Sequence, residues 1–165
     1  MREIAGRQVG NNDLGVMAAG AAALVFSLLP YYGFSYRVAG AGLDGSFTAW
    51  HSYAALGMLL LLAAAGVVAA RVFADVDLPK LAVGWHVIVA GLAGVGTLLV
   101  IVRALNYPHL NVPGGSFGVR WGGYLLFLAG IAETVFAVLA LRESGESVSF
   151  DRGPADPGPP QPPPS

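Results

Sequence analysis

The sequence predicts an all-α membrane protein of four transmembrane helices in an antiparallel bundle, and three observations carry that expectation. Apolar residues make up 55% of the 165-residue chain and charged ones only 12%, against about 25% in soluble domains. Mean hydropathy is +0.63. Four continuous apolar stretches, at about 14–34, 48–73, 81–102 and 122–141, are each about as long as the roughly 20 residues a bilayer crossing needs. In lipid such stretches satisfy their backbone polar groups as helices; barrel strands would be shorter and would alternate.

The first stretch follows Arg2 and Arg7 and superficially resembles a signal peptide. It exceeds the usual apolar region of about 7–15 residues, and the small-residue cleavage pattern that follows it, Ala39-Gly40-Ala41, lies well beyond its end. It is therefore read as a retained anchor, with 1–13 as a cytoplasmic N-terminal segment. Four crossings place both termini on one side. Arg2, Arg7, Arg71, Lys80, Arg142 and Arg152 fall on that side, and Arg37, Arg103 and Arg120 on the other. The positive-inside bias then predicts a multi-pass protein of the plasma (inner) membrane with cytoplasmic termini. Tyr31, Tyr32, Tyr36, Trp50, Tyr53, Tyr107, Trp121 and Tyr124 gather at the outer boundary as an aromatic belt.

Between the first two spans, Phe34, Tyr36 and Val38 alternate before a Gly-rich break at 39–42, which permits a short β-hairpin. The second outer loop, 103–121, reads as turns enforced by Pro108, Pro113 and Gly114-Gly115. The short inner connection ADVDLPK makes spans two and three a helical hairpin. From residue 142 the chain turns polar and Pro-rich, predicting a disordered cytoplasmic tail over 142–165. PPQPPP in that tail has the polyproline character that proline-recognising domains bind.

The order of features is recognisable. It runs from a Tyr-rich end of the first span through S-x-x-A-W at Ser46 to Trp50 and Arg71 to Pro79 and Gly84-Trp85. R-x-L-x-x-P at Arg103 to Pro108 and Arg142-Glu143 follow. This order resembles a group of small, uncharacterised actinobacterial four-helix integral membrane proteins, over residues 14–143. The resemblance implies a four-helix membrane domain and a disordered or Pro-rich end, and brings no activity with it.

Several function classes drop out. Without cysteine there are no disulfides, thiolate nucleophiles or Cys-based zinc sites. A net charge of −1 with no basic cluster argues against nucleic-acid binding. Gly91-x-x-Gly94-x-Gly96 lies inside a span and lacks the strand and lysine of a phosphate cradle, so helix packing explains it, as it does the four-residue pairs Ala18/Ala22, Gly66/Ala70 and Ala90/Gly94. His51, His86 and His109 lack metal-ligand spacing. Neither cofactor, metal nor catalytic set is predicted. The chain is expected to be a non-enzymatic structural or accessory component of a membrane or cell-envelope complex, with the lipid bilayer, a membrane-protein partner or a second copy as its partners.

Glu133 is the one acid inside a span. Intramembrane carboxyls cost about 2.5–3.5 kcal/mol, which the apolar residues of the same span offset. Helical periodicity sets it on a face with Leu126, Ala129, Gly130, Ala137 and Ala140, opposite Leu125, Leu128, Val135 and Leu139, so it points into the bundle. His86, on a stripe with Ala82, Ala90, Ala93 and Thr97, has a calculated depth differing from that of Glu133 by about 5 Å. Glu133 and His86 are thus the candidate binding residues, a polar pair joining spans three and four. A protonated Glu133 bonded to a backbone carbonyl or to a hydroxyl such as Ser27 is the alternative. A small proton-linked transporter or ligand-binding protein centred on Glu133 is the alternative function.

Overall fold

Gly10 in extended conformation precedes the first helix, α1 (Asn11–Ser27), and Pro30 explains where it stops. Proline offers no N–H and holds the residue before it out of helical conformation, so the helix closes on tightened bonds from Leu28 N to Val25 O and Leu29 N to Phe26 O. The computed structural model describes residues 2–4, 7–38, 41–74, 83–106 and 115–146. The other helices are α2 (Tyr53–Phe73), α3 (Trp85–Leu105) and α4 (Trp121–Ser144). These three are long and apolar enough to cross a membrane. α1, at 17 residues, spans about 25 Å, a little short of the roughly 30 Å hydrocarbon core.

Each helix packs on two others, in the cyclic order α1, α2, α3, α4. The core among the described residues is rich in alanine, while many large apolar side chains, such as Leu24, Leu59, Leu98, Leu128 and Ile131, face outward. That distribution suits a lipid-facing exterior, where close backbone approach holds helices together. α2 and α3 meet closely, backbone against backbone. A methyl on Gly57 would sit 2.8 Å from Gly96 O, and one on Gly96 the same distance from Gly57 O. Gly66 and Gly91, in contrast, face open space, so of the Gly91/Gly94/Gly96 set it is Gly96 that makes the close helix contact.

Two apolar clusters fill the interior: Ala23, Met58, Leu61, Val100 and Leu126 toward one end, and Val16, Ala64, Val68, Val89 and Ala137 toward the other.

A three-stranded antiparallel sheet closes the first of these ends. β3 (Tyr32–Val38) lies between β4 (Ala41–Phe47) and β5 (Gly115–Val119). Its register pairs Phe34 with Gly45 and Phe117, and Ser35 with Asp44 and Ser116. Period-two alternation therefore puts Tyr32, Phe34, Tyr36, Leu43, Phe47, Phe117 and Val119 on one face. Phe34 lies 6.0 Å from Phe47 and 6.3 Å from Phe117 between ring centroids. Ser35 and Ser116 hydroxyls meet at 2.6 Å on the opposite face.

The sheet is tied to the helices by backbone bonds from Arg120 N to Tyr31 O, Tyr31 N to Phe47 O and Ala49 N to Ser27 O. The Tyr31 hydroxyl donates to Val100 O at 2.5 Å. At the opposite end of α1, β1 (Arg2–Ile4) and β2 (Arg7–Val9) form a separate antiparallel pair.

The expected hairpin between the first two spans is present as β3 and β4, whereas β5 occupies a segment expected to be turns. α1 ends at Ser27 rather than near 34, and α2 begins at Tyr53 rather than near 48, because the hairpin takes the residues between. α4 continues through Ser144 into the stretch expected to be tail. The remainder of that expected tail, 147–165, lies outside the described residues, as do the inner connection at 75–82 and the Pro-rich part of the second outer loop at 107–114.

Candidate functional site

Glu133 sits on the buried stripe of α4, which consists of Gly122, Gly123, Leu126, Ala129, Gly130, Glu133, Ala137 and Ala140. Small neighbours at three- and four-residue spacing are what let a long carboxylic side chain lie inside the bundle. It is fully buried, at the level where one apolar cluster gives way to the other. Its carboxyl reaches toward α1 and α2: a methyl on Gly20 would collide with Ala65 and lie 3.5 Å from Glu133 Oε1. Neither carboxyl oxygen has a hydrogen-bond partner among the described residues.

Ser27 does not supply one. Its hydroxyl donates to Leu24 O at 2.7 Å and accepts from Trp50 Nε1 at 3.0 Å, fastening α1 to the segment before α2. The polar joint between α3 and α4 is instead a threonine pair. Thr134 Oγ1 donates to Gly130 O at 2.9 Å, leaving Thr97 to donate to Thr134 Oγ1 at 3.0 Å. A hydroxyl bonded back to its own helix is already satisfied, so the pair links the helices at little desolvation cost. Thr97 and Thr134 are hydroxyl-bearing positions facing each other in two otherwise apolar helices, which is the signal that would have found them.

His86 and Glu133 are not brought into a hydrogen bond. The depth difference of about 5 Å assumed that α3 begins near residue 81, but it begins at Trp85, so His86 stands in its first turn. α4 runs on to Ser144, which leaves Glu133 eleven residues, or about 16 Å, from that end.

His86 has other partners. Arg71, in the last turn of α2, donates from Nη1 to His86 Nε2 at 3.2 Å. An arginine can only donate, so in the neutral ring the proton belongs on Nδ1. Nδ1 faces Glu146 Oε1 at 3.1 Å, although off the angle of a good hydrogen bond. Glu146 Oε2 also accepts the His86 backbone N–H at 3.0 Å, closing the N-terminus of α3.

Two glycines make this arrangement possible. Gly145, with φ 66°, adopts the left-handed conformation that ends α4 and turns Glu146 back toward α3. Gly84 leaves the space that Glu146 Oε2 fills, where any side chain would collide with it. Partial burial by itself would raise the Glu146 carboxyl. The His86 ring facing it, the His86 backbone N–H and the charge of Arg71 together outweigh that and hold it below its ordinary value.

A groove of about 610 Å³ lies between α1 and α4, lined by Leu14, Ala18, Phe26, Leu128 and Phe136 among others. It is apolar, and the Glu133 carboxyl does not line it. Among the described residues no three His, Asp or Glu side chains are grouped as metal ligands. No protein-family model and no curated protein matches the chain.

Proposed function

We propose that the chain is a four-span protein of the plasma membrane, with cytoplasmic termini, serving as a non-enzymatic structural or accessory component of a membrane or cell-envelope complex. In this reading α1 is the fourth crossing, its short helix completed by the residues that follow it. The Lys/Arg asymmetry then puts the three-stranded sheet outside. One observation carries the reading: polar surface is concentrated at the two ends of the bundle, while Ser27, Thr97 and Glu133 are the only buried polar side chains among the described residues. A conducting path needs polar groups at successive depths. The ends are what a partner in the membrane, or a second copy, would meet; the lipid bilayer covers the rest.

Purification of the full chain in mild detergent tests this. A stoichiometric membrane-protein partner, or a stable homo-oligomer, supports it; a monodisperse monomer under several mild detergents overturns it. The unpartnered oxygens of Glu133 favour a second reading, a small proton-linked carrier or ligand-binding membrane protein. That reading requires proteoliposome flux that disappears in Glu133→Gln.

A further inference from the structure

A cavity of about 230 Å³ lies at the sheet end of the bundle, between the ends of α2 and α3 and the β3–β4 hairpin. Arg103, His51, Ser52, Thr48 and Tyr32 line it beside Phe47. We propose that this cavity binds an anionic phosphoryl group, carried by a phospholipid headgroup or by free phosphate.

The chemistry of the lining converges on an anion. Arg103 brings a permanent positive charge from the last turn of α3, and its guanidinium is steadied over the Tyr53 ring, 5.4 Å from the centroid. His51 is held edge-on against Phe47, with ring centroids 5.4 Å apart. Thr48 and Ser52 add hydroxyl donors, and no carboxylate is among the described residues that line it. α2 also starts here, and the positive end of a helix dipole favours negative charge.

Ser52 adds a separate indication. Its backbone, at φ 59° and ψ −150°, lies in a region that glycine occupies readily and serine rarely. The side chain makes no capping bond to α2, so helix capping does not explain why a serine is kept in that conformation. A hydroxyl required at the cavity does. Exposed Tyr53 and Leu56 continue from the rim down α2, an apolar track on which the acyl chains of a bound lipid would lie.

The test uses the full chain in two arms. Retention of phosphatidylglycerol against phosphatidylcholine is measured by native mass spectrometry from mixed nanodiscs. Thermal unfolding in detergent is followed during titration with sodium phosphate against chloride of equal ionic strength. Preferential retention of phosphatidylglycerol assigns the site to a headgroup; stabilisation by phosphate alone assigns it to the free anion. Either supports the proposal provided that binding weakens by about tenfold in Arg103→Gln. Ser52→Gly guards against a folding defect, since it relieves the backbone and should unfold no earlier than wild type while still binding more weakly. Binding of neither probe, or equal binding by wild type and both variants, overturns the proposal.

Discussion

Glu146 and His86 form a cap between distant parts of the chain: the carboxylate that follows α4 accepts the backbone N–H in the first turn of α3 at 3.0 Å. Removing it exposes an orphan donor at a helix end. Glu146→Ala should destabilise the protein by about 1 kcal/mol, read from thermal unfolding in detergent. Gly145→Ala should cost a similar amount, about 1–2 kcal/mol, by straining the left-handed turn that aims the carboxylate.

The same cap sets a pH dependence. The Glu146 carboxyl in the folded protein lies below its ordinary value of 4.5 because His86 and Arg71 outweigh the effect of burial. A depressed folded value means that the contribution is complete above the unfolded value and is lost as pH falls through the folded one. The difference in melting temperature between wild type and Glu146→Gln should therefore hold steady above about pH 5 and shrink below about pH 4. Salt should reduce it too, since Glu146 is partly exposed.

Double-mutant cycles separate the two acids. His86→Ala with Glu146→Gln should show coupling of about 1 kcal/mol, whereas His86→Ala with Glu133→Gln should add within about 0.5 kcal/mol. Coupling in the second cycle would mean that His86 and Glu133 meet after all.

Glu133 is buried without a partner for either oxygen among the described residues. Replacement by a flexible apolar side chain of similar size should remove that penalty, so Glu133→Met is expected to raise bundle stability by about 1–3 kcal/mol. A loss of stability on this substitution would show that the carboxyl makes a favourable contact in the membrane.

Glycines divide into two groups. Gly57→Ala pushes a methyl against the backbone of α3, and should cost about 1–3 kcal/mol by overpacking. Gly66→Ala and Gly91→Ala enter open space, and should be neutral or stabilising by up to about 1 kcal/mol.

Long apolar runs made α2, α3 and α4 legible, since a helix pairs every backbone polar group of such a segment within itself. The inward face of Glu133 was legible for a related reason: Ala129, Gly130 and Ala137 recur at helical spacing. Helix ends were less so. Pro30 is a stop signal inside the first apolar run, and hydropathy summed over a window passes over it.

β5 had almost no local signal, because Gly-Ser-Phe-Gly-Val becomes a strand through β3, a partner far away in sequence. Glu146 was hidden among tail-like residues, and its role depends on a turn at Gly145 that composition does not reveal. The expected His86 contact failed on a small error at each of two helix ends, because each residue moves a side chain by about 1.5 Å.

The central strand β3 holds both β4, its immediate neighbour, and β5, whose Ser116 lies 81 positions beyond Ser35. β4 can pair with it as soon as the hairpin forms. β5 cannot arrive until the chain through α2 and α3 has folded back, since loop closure precedes every long-range contact. During synthesis one edge of β3 therefore stays empty until β5 follows α3. A partner that recognises all three strands would therefore engage only molecules in which β5 has joined the hairpin.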